Sequence, residues 1–120
     1  MSLTQNPTYI KEPTSLQCGQ AVLAMLTELS VEEIINQCGT ERETTLSQMK
    51  KVLTENGISY SKERKIAQTK LDLPPIALLS LETPRCWHWS LYYNGTFFDP
   101  EHGVMDDFPL CKRKYYWELQ

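Results

Sequence analysis

The sequence predicts an α+β domain in which N-terminal helices pack on a C-terminal antiparallel sheet. In the first half, apolar residues recur at helical spacing between capping residues and glycines. In the second half, short apolar or alternating runs are separated by turn signals, of which Asn94-Gly95 is typical of a two-residue hairpin loop. A chain of 120 residues suits one domain, residues 1–120, with a modest core.

Three helices are predicted after an extended arm at residues 1–13. Thr14 and Ser15 can cap the first helix, and each of the other two begins with a capping box. Glycine, or an Asn-Gly pair, ends the second and third helices. The predicted helices begin near Cys18, at Ser30 and at Thr45, and they end near Leu29, at Gly39 and at Asn56-Gly57.

Five strands are predicted from apolar or alternating runs bounded by proline, glycine and asparagine. Residues 62–72 between the first two are charged and are predicted to form a solvated connection. The predicted strands are Ile58 to Ser61, Ile76 to Leu81, Trp87 to Tyr93, Thr96 to Asp99 and Lys114 to Leu119. Because helices precede strands, the sheet is expected to be largely antiparallel.

Composition and charge exclude several functions. A formal net charge of −3 argues against a dedicated nucleic-acid binder, and no apolar run approaches the length of a membrane span. No basic region followed by an apolar run stands at the start, so we expect a cytoplasmic protein or export without a cleavable signal peptide. The four cysteines form no CxxC pair, which predicts reduced thiols and neither a zinc site nor any other cofactor.

Cys18 is the first candidate for chemistry. Its place at the start of a helix exposes the sulfur to free N–H groups and to the positive end of the helix dipole, which stabilise a thiolate and lower the thiol pKa. Helical spacing puts Cys18 on the face of Val22 and Met25, so the sulfur is expected to point inward. Gly19 leaves space where a substrate backbone could approach. The alternative is a small cysteine buried in a core helix.

The predicted hairpin joins a histidine to a carboxylate. If Asn94 and Gly95 form the loop, Tyr93 pairs with Thr96 and Ser90 lies opposite Asp99. His88 then shares a face with Asp99 as its diagonal neighbour, about 7–8 Å away at the backbone. A carboxylate on one ring nitrogen would orient the imidazole and leave the other nitrogen free to accept a thiol proton.

The alternative for His88 and Asp99 is a polar pair without chemistry. His102, in the turn after Asp99, is expected to be exposed and not catalytic. Among the other cysteines, Cys86 is expected to line the cleft on the face of His88, whereas Cys38 and Cys111 are expected to pack.

The tryptophans of the third predicted strand have two alternative roles. Trp87 and Trp89 alternate onto the face opposite His88, where they are expected to pack the sheet against other core elements. The alternative is an exposed patch for a protein partner.

Three motifs in this order resemble a known family, and together they span roughly residues 12–104. They are Cys18-Gly19-Gln20-Ala21 with Ala24-Met25-Leu26, then His88 with Tyr92, then Asp99-Pro100-Glu101-His102-Gly103. The pattern is similar to the papain-like cysteine peptidases related to the double-glycine leader peptidases, which process bacteriocin precursors. The resemblance implies a papain-like fold with Cys18 as nucleophile, His88 as general base and Asp99 as the orienting carboxylate.

One position departs from that family. A glutamine six residues before the cysteine helps to form its oxyanion hole, and this chain has Glu12 there. An ionised carboxylate would repel the developing oxyanion, whereas a carboxyl kept protonated by burial can donate to it. Gln17, or Gln5 on the arm, is an alternative donor.

The sequence therefore favours a thiol hydrolase that cleaves a peptide or isopeptide bond. Deamidation or acyl transfer on a protein side chain would use the same three residues. The remaining alternative is a catalytically weakened domain that binds a peptide, which Glu12 favours. The expected partner is a peptide or protein substrate, and a small domain leaves room for a partner protein that supplies selectivity.

Overall fold

The computed structural model describes residues 7–120 and has the predicted α+β class, with three helices followed by a six-stranded antiparallel sheet. The helices are α1 (Cys18–Thr27), α2 (Val31–Cys38) and α3 (Leu46–Glu55). The strands are β1 (Lys65–Ile66), β2 (Ile76–Glu82), β3 (Trp87–Tyr93), β4 (Thr96–Asp99), β5 (Gly103–Met105) and β6 (Lys114–Glu118). They lie in the order β1-β6-β2-β3-β4-β5. Within residues 7–120, no helix is long and apolar enough to cross a membrane.

Local capping chemistry sets the ends of α2 and α3. Ser30 accepts a hydrogen bond from the Glu33 N–H, and Thr45 and Gln48 form a reciprocal capping box. Gly39 ends α2 in the left-handed conformation with φ 79°, as its position predicts. These helix boundaries therefore agree with the sequence prediction.

The first helix is capped differently from the prediction. Its N-cap residue is Gln17, which makes no side-chain cap, and Thr14 Oγ1 instead accepts from the Leu16 N–H in the preceding turn. The helix ends at Thr27 rather than near Leu29 because Glu28 adopts a left-handed backbone with φ 65°. Every residue of α1 is buried, since the helix lies between the sheet and the other two helices.

The hairpin has the predicted register. Asn94 and Gly95 have φ 45° and 94°, and Tyr93 pairs with Thr96. Side chains of β3 therefore alternate between two cores. One core joins the helices to the sheet through Leu78, Leu91 and Trp117. The other covers the opposite face with Leu79, Tyr92 and Phe97.

Three short elements differ from the sequence prediction. Residues 58–61 form only an isolated bridge between Tyr60 and Leu119, and the connection at 62–72 contains β1 and a 3-10 helix at Lys70–Asp72. The strand β5 was not predicted, because three residues at a sheet edge are too few to show a period.

Gly19 is required by packing. A Cβ atom there would collide with Thr44 Oγ1 and would lie 3.1 Å from both Met49 Sδ and Trp89 Cδ1. The space above Gly19 is thus filled by residues of the domain. The expectation that this glycine makes room for a substrate backbone is wrong.

The close approach at Gly19 predicts a stability effect. Gly19→Ala should lower the free energy of unfolding by about 1–3 kcal/mol, because overpacking forces neighbouring side chains out of place. Urea denaturation at equilibrium measures this change. Combining it with Thr44→Ala should cost less than the sum of the two single changes, since the colliding hydroxyl is gone. A Gly19→Ala protein as stable as the parent would contradict this account.

Candidate active site

Cys18 meets the sheet at β3. It is the first residue of α1 and is 7% exposed. Its sulfur accepts a hydrogen bond from the Trp89 N–H, with a nitrogen–sulfur distance of 3.5 Å. The first N–H groups of a helix have no intrahelical acceptor, and Cys18 lies at this end of α1. Cys18 therefore lies beside the strand that carries the predicted histidine, and its sulfur contacts a polar group of that strand.

His88 and Asp99 form a buried pair. His88 Nε2 lies 2.9 Å from Asp99 Oδ1, and the two residues are 5% and 0% exposed. Asp99 leaves the other ring nitrogen, Nδ1, unengaged, and His88 and Cys18 line the same cavity. The structure therefore brings together the three residues that the sequence singled out, in the order Cys18, His88, Asp99.

The end of the hairpin ladder creates this arrangement. Strand β4 pairs with β3 from Leu91 to Tyr93, and the chain turns away after Asp99. His88 lies beyond that ladder but on the face of Ser90, which donates to Asp99 Oδ2 at 2.8 Å. Two-residue alternation and the Asn-Gly loop are sufficient to place these side chains together.

The environment of Asp99 favours its charged form. Burial opposes ionisation, but the hydrogen bond with His88 and the His102 N–H outweigh it and hold the pKa of Asp99 well below its ordinary range. The N–H groups of Glu101 and His102 both donate to Oδ1 at 3.0 Å. A carboxylate with this many donors is stabilised as an anion despite being inaccessible to water.

The same contacts favour the charged form of His88. Burial alone would lower the pKa of His88, but the interactions with Asp99 and Cys18 outweigh it and raise the pKa to about 10. An imidazolium bonded to a carboxylate can act as a proton donor.

His102 is the residue that the sequence analysis missed. It is exposed, as expected, but its Nδ1 lies 2.9 Å from Asp99 Oδ1 and its Nε2 lies 3.3 Å from Glu101 Oε1. The rings of His102 and His88 meet edge to face with centroids 6.0 Å apart. The signal for this contact was the spacing of three between Asp99 and His102 in a turn directly after a strand.

Two imidazoles around one carboxylate are also a possible metal-ligand set. One ligand atom each from His88, Asp99 and His102 lies within 4.8 Å of the others. However, Asp99 Oδ1 already accepts from two backbone N–H groups as well as from both rings. Hydrogen bonds account for every one of these contacts, so the geometry gives no separate support for a metal.

A cavity of 460 Å³ opens beside Cys18 and His88. Cys86 contributes to its wall, as predicted, and so do three carboxylates, from Glu12, Glu43 and Glu101. The wall of this cavity, which we call the Cys18 cavity, thus combines a candidate nucleophile with three carboxyl groups.

Glu12 is held beside that cavity by the arm. Its N–H donates to the Pro100 carbonyl at 2.9 Å, which joins the arm to the turn after β4. Its Oε1 atom is buried and has no hydrogen-bond partner among the described residues. Burial raises the pKa of Glu12, and the nearby charges of Glu101 and Asp99 raise it further against the opposing effect of His88.

The alternative oxyanion donors are placed less favourably. Gln17 Nε2 donates to the Glu41 carbonyl at 3.0 Å, and Gln17 does not line the Cys18 cavity. Gln5 lies outside the described residues. Glu12 is therefore the candidate donor that the structure locates at the site.

The remaining cysteines and tryptophans mostly pack. All four cysteines are free; Cys38 is buried, whereas Cys111 is half-buried with its thiol pKa raised by burial. Trp89 packs against the helix-side core and donates to the Thr44 carbonyl at 3.1 Å, as its predicted role requires. Trp87 is 49% exposed and stacks on Tyr115, so the packing prediction is only partly correct for it.

The chain matches no protein-family model and no curated protein sequence. The family resemblance thus rests on the motifs, and the grounds for a function are the positions of the side chains.

The paired charges predict a pH dependence of stability. The pKa of folded His88 is about 10, above the ordinary 6.5, so its stabilisation is complete below pH 6.5 and is lost as pH rises through 10. Asp99→Asn should lower the His88 pKa and flatten this alkaline loss, and should cost about 3–5 kcal/mol at neutral pH because a buried charge loses its partner. NMR titration of the His88 ring and urea denaturation measure the two effects.

His102→Asn is the matched control for that substitution. It removes the second imidazole from the same carboxylate oxygen but leaves the His88–Asp99 bond intact. Its effect on the His88 pKa should be the smaller of the two. An equal or larger effect from His102→Asn would show that the contact with Asp99 is not the main cause of the raised His88 pKa.

Proposed function

We propose that this domain is a papain-like thiol hydrolase that cleaves a peptide or isopeptide bond. The observation that carries the proposal is that Cys18 and His88 line the wall of one open cavity, and that His88 is bonded to buried Asp99. A helix-borne cysteine facing a strand-borne histidine also agrees with the family resemblance.

The proposed reaction uses each group once in acylation and again in deacylation. Cys18 Sγ adds to the substrate carbonyl, and the resulting oxyanion collapses as the bond to nitrogen breaks. His88 gives its proton to the leaving amine. It then takes a proton from water, which attacks the thioester and releases the acid and the free thiol. Asp99 keeps the ring in one orientation throughout.

The oxyanion needs donors near the start of α1. The free N–H groups of the first helical turn supply one. Glu12 supports a second, since a protonated carboxyl is a donor and burial favours the protonated form. Protein side-chain deamidation or acyl transfer is compatible with the same groups.

A second candidate function is peptide binding with weakened catalysis. The specific observation in its favour is a carboxyl at Glu12, where a neutral amide would serve an oxyanion better. Loss of one oxyanion donor typically costs about 10²–10³ in rate.

Electrophile labelling separates these functions. A peptidyl vinyl sulfone should modify the native protein once, at Cys18, and Cys18→Ala should remove the fast reaction. His88→Ala should slow labelling at least tenfold if the ring activates the sulfur. Cys86→Ala is the matched control, because that cysteine lines the same cavity, and should label like the parent protein. Persistent fast labelling of Cys18→Ala would refute Cys18 as nucleophile, and slow labelling of Cys18 itself would favour the binding domain.

The chemistry of Glu12 gives a second test. If its protonated carboxyl donates to the oxyanion, activity should fade as pH rises through the raised pKa of Glu12. Glu12→Gln installs a permanent neutral donor of nearly the same shape, so it should raise hydrolysis of a generic peptide or ester substrate, most clearly at alkaline pH. The pH profile of kcat/KM measures the effect. A marked loss of activity in Glu12→Gln would mean that Glu12 works as an ionised group.

A further inference from the structure

A second depression adjoins the Cys18 cavity. It has a volume of 430 Å³, and its lining includes Trp89 and Ser80, which also line the Cys18 cavity. Two residues common to both walls make the depressions neighbours. An extended ligand that occupied both would cross Trp89.

Three cations surround this second depression. Lys50 comes from α3, and Lys62 and Arg64 come from the connection before β1. Within residues 7–120, none of the three lies within ion-pair distance of a carboxylate. The chain as a whole carries a net charge of −3, so an unneutralised cluster of three cations runs against its overall charge.

Tyrosine rings contact two of these cations, and tryptophan rings line the depression. The Arg64 guanidinium lies 3.8 Å from the ring centroid of Tyr115, and Lys50 Nζ lies 5.5 Å from that of Tyr60. Trp89 and Trp117 contribute to the lining, with ring centroids 6.0 Å apart. This combination offers an apolar surface for a side-chain stem and cationic groups for an anionic end.

The two depressions differ in charge. In the Cys18 cavity, Glu43 and Glu101 lie with the cations Arg85 and His88, and Arg85 is bonded to Glu101 at 3.0 Å, while burial favours the neutral form of Glu12. The groove across Trp89 is therefore nearly balanced in charge at the candidate nucleophile and basic at its other end. Such a difference favours a ligand whose acidic group lies at the basic end.

We propose that the depression lined by Lys50, Lys62 and Arg64 binds an acidic side chain of the peptide substrate, a few residues from the bond that Cys18 attacks. The inference rests on the proposed function for its description of the ligand as a substrate. Carboxylates complement the unpaired cations, and the methylene groups of Asp or Glu pack on the half-buried indole of Trp89. The subsite thus fixes which peptide enters the Cys18 cavity, and the reacting groups remain those at Cys18.

The test uses a randomised peptide library with amidated C-termini. One arm sequences the products that the native protein cleaves, and the other sequences the peptides that Cys18→Ala protein retains without cleaving. Both arms should show Asp or Glu enriched at one fixed distance, measured from the cleaved bond or along the retained peptide. Retention should weaken with added salt, because the contacts are exposed to solvent.

Reversing the charge of two lining residues tests whether the cations of this depression bind the acidic side chain. The exposed residues Lys62 and Arg64 suit the purpose, and Lys62→Glu with Arg64→Glu should abolish the acidic preference or replace it with a basic one. The expected fall in kcat/KM for acidic peptides is about 2–30-fold, the range for two exposed ion pairs. Lys51→Glu with Lys65→Glu is the matched control: it changes the net charge equally at residues outside the depression, and it should keep the acidic preference.

The outcomes of the two arms separate the subsite from the reaction. Cleavage without an acidic preference would overturn the subsite and leave the hydrolase. Acidic retention without cleavage would overturn the hydrolase and leave a binding site for acidic peptides. An equal loss of preference in the control variant would show that only the overall charge matters, and would also overturn the subsite.

Discussion

The buried carboxylate of Asp99 is the feature on which the candidate site depends. It is fully inaccessible, yet donors come to it from β3, from the turn after β4 and from both histidines. A buried charge destabilises a fold unless hydrogen bonds replace the lost water. The register of the hairpin and the course of the turn are therefore linked, because a slip of either would leave this charge unpaired.

The N-terminal arm closes on the same turn. Tyr9 donates through its hydroxyl to the Asp99 carbonyl at 2.7 Å, and the Glu12 N–H donates to the Pro100 carbonyl at 2.9 Å. The segment that leads into Cys18 is thus anchored to the residue that orients His88. The candidate nucleophile and the candidate oxyanion donor thus lie in one N-terminal segment, which the turn after β4 joins to the partner of His88.

Local rules predicted much of this arrangement from the sequence. The Asn94-Gly95 loop and two-residue alternation placed His88 beside Asp99, and capping boxes placed α2 and α3. Features that depend on contacts between distant segments could not be predicted from these local rules. The role of Gly19 depends on distant Thr44 and Trp89. The cationic depression joins segments that no sequence period connects.

The charge of His88 and the proton of Glu12 are coupled, which bears on the proposed hydrolysis. Burial and the neighbouring carboxylates raise the pKa of Glu12, whereas the positive charge of His88 lowers it. In the proposed reaction the oxyanion exists while His88 is still charged, so this opposing influence acts when the donor is needed. Burial and the neighbouring carboxylates must therefore keep Glu12 protonated against the charge of His88. The departure from glutamine at this position is therefore compatible with catalysis, provided that burial keeps the carboxyl neutral beforehand.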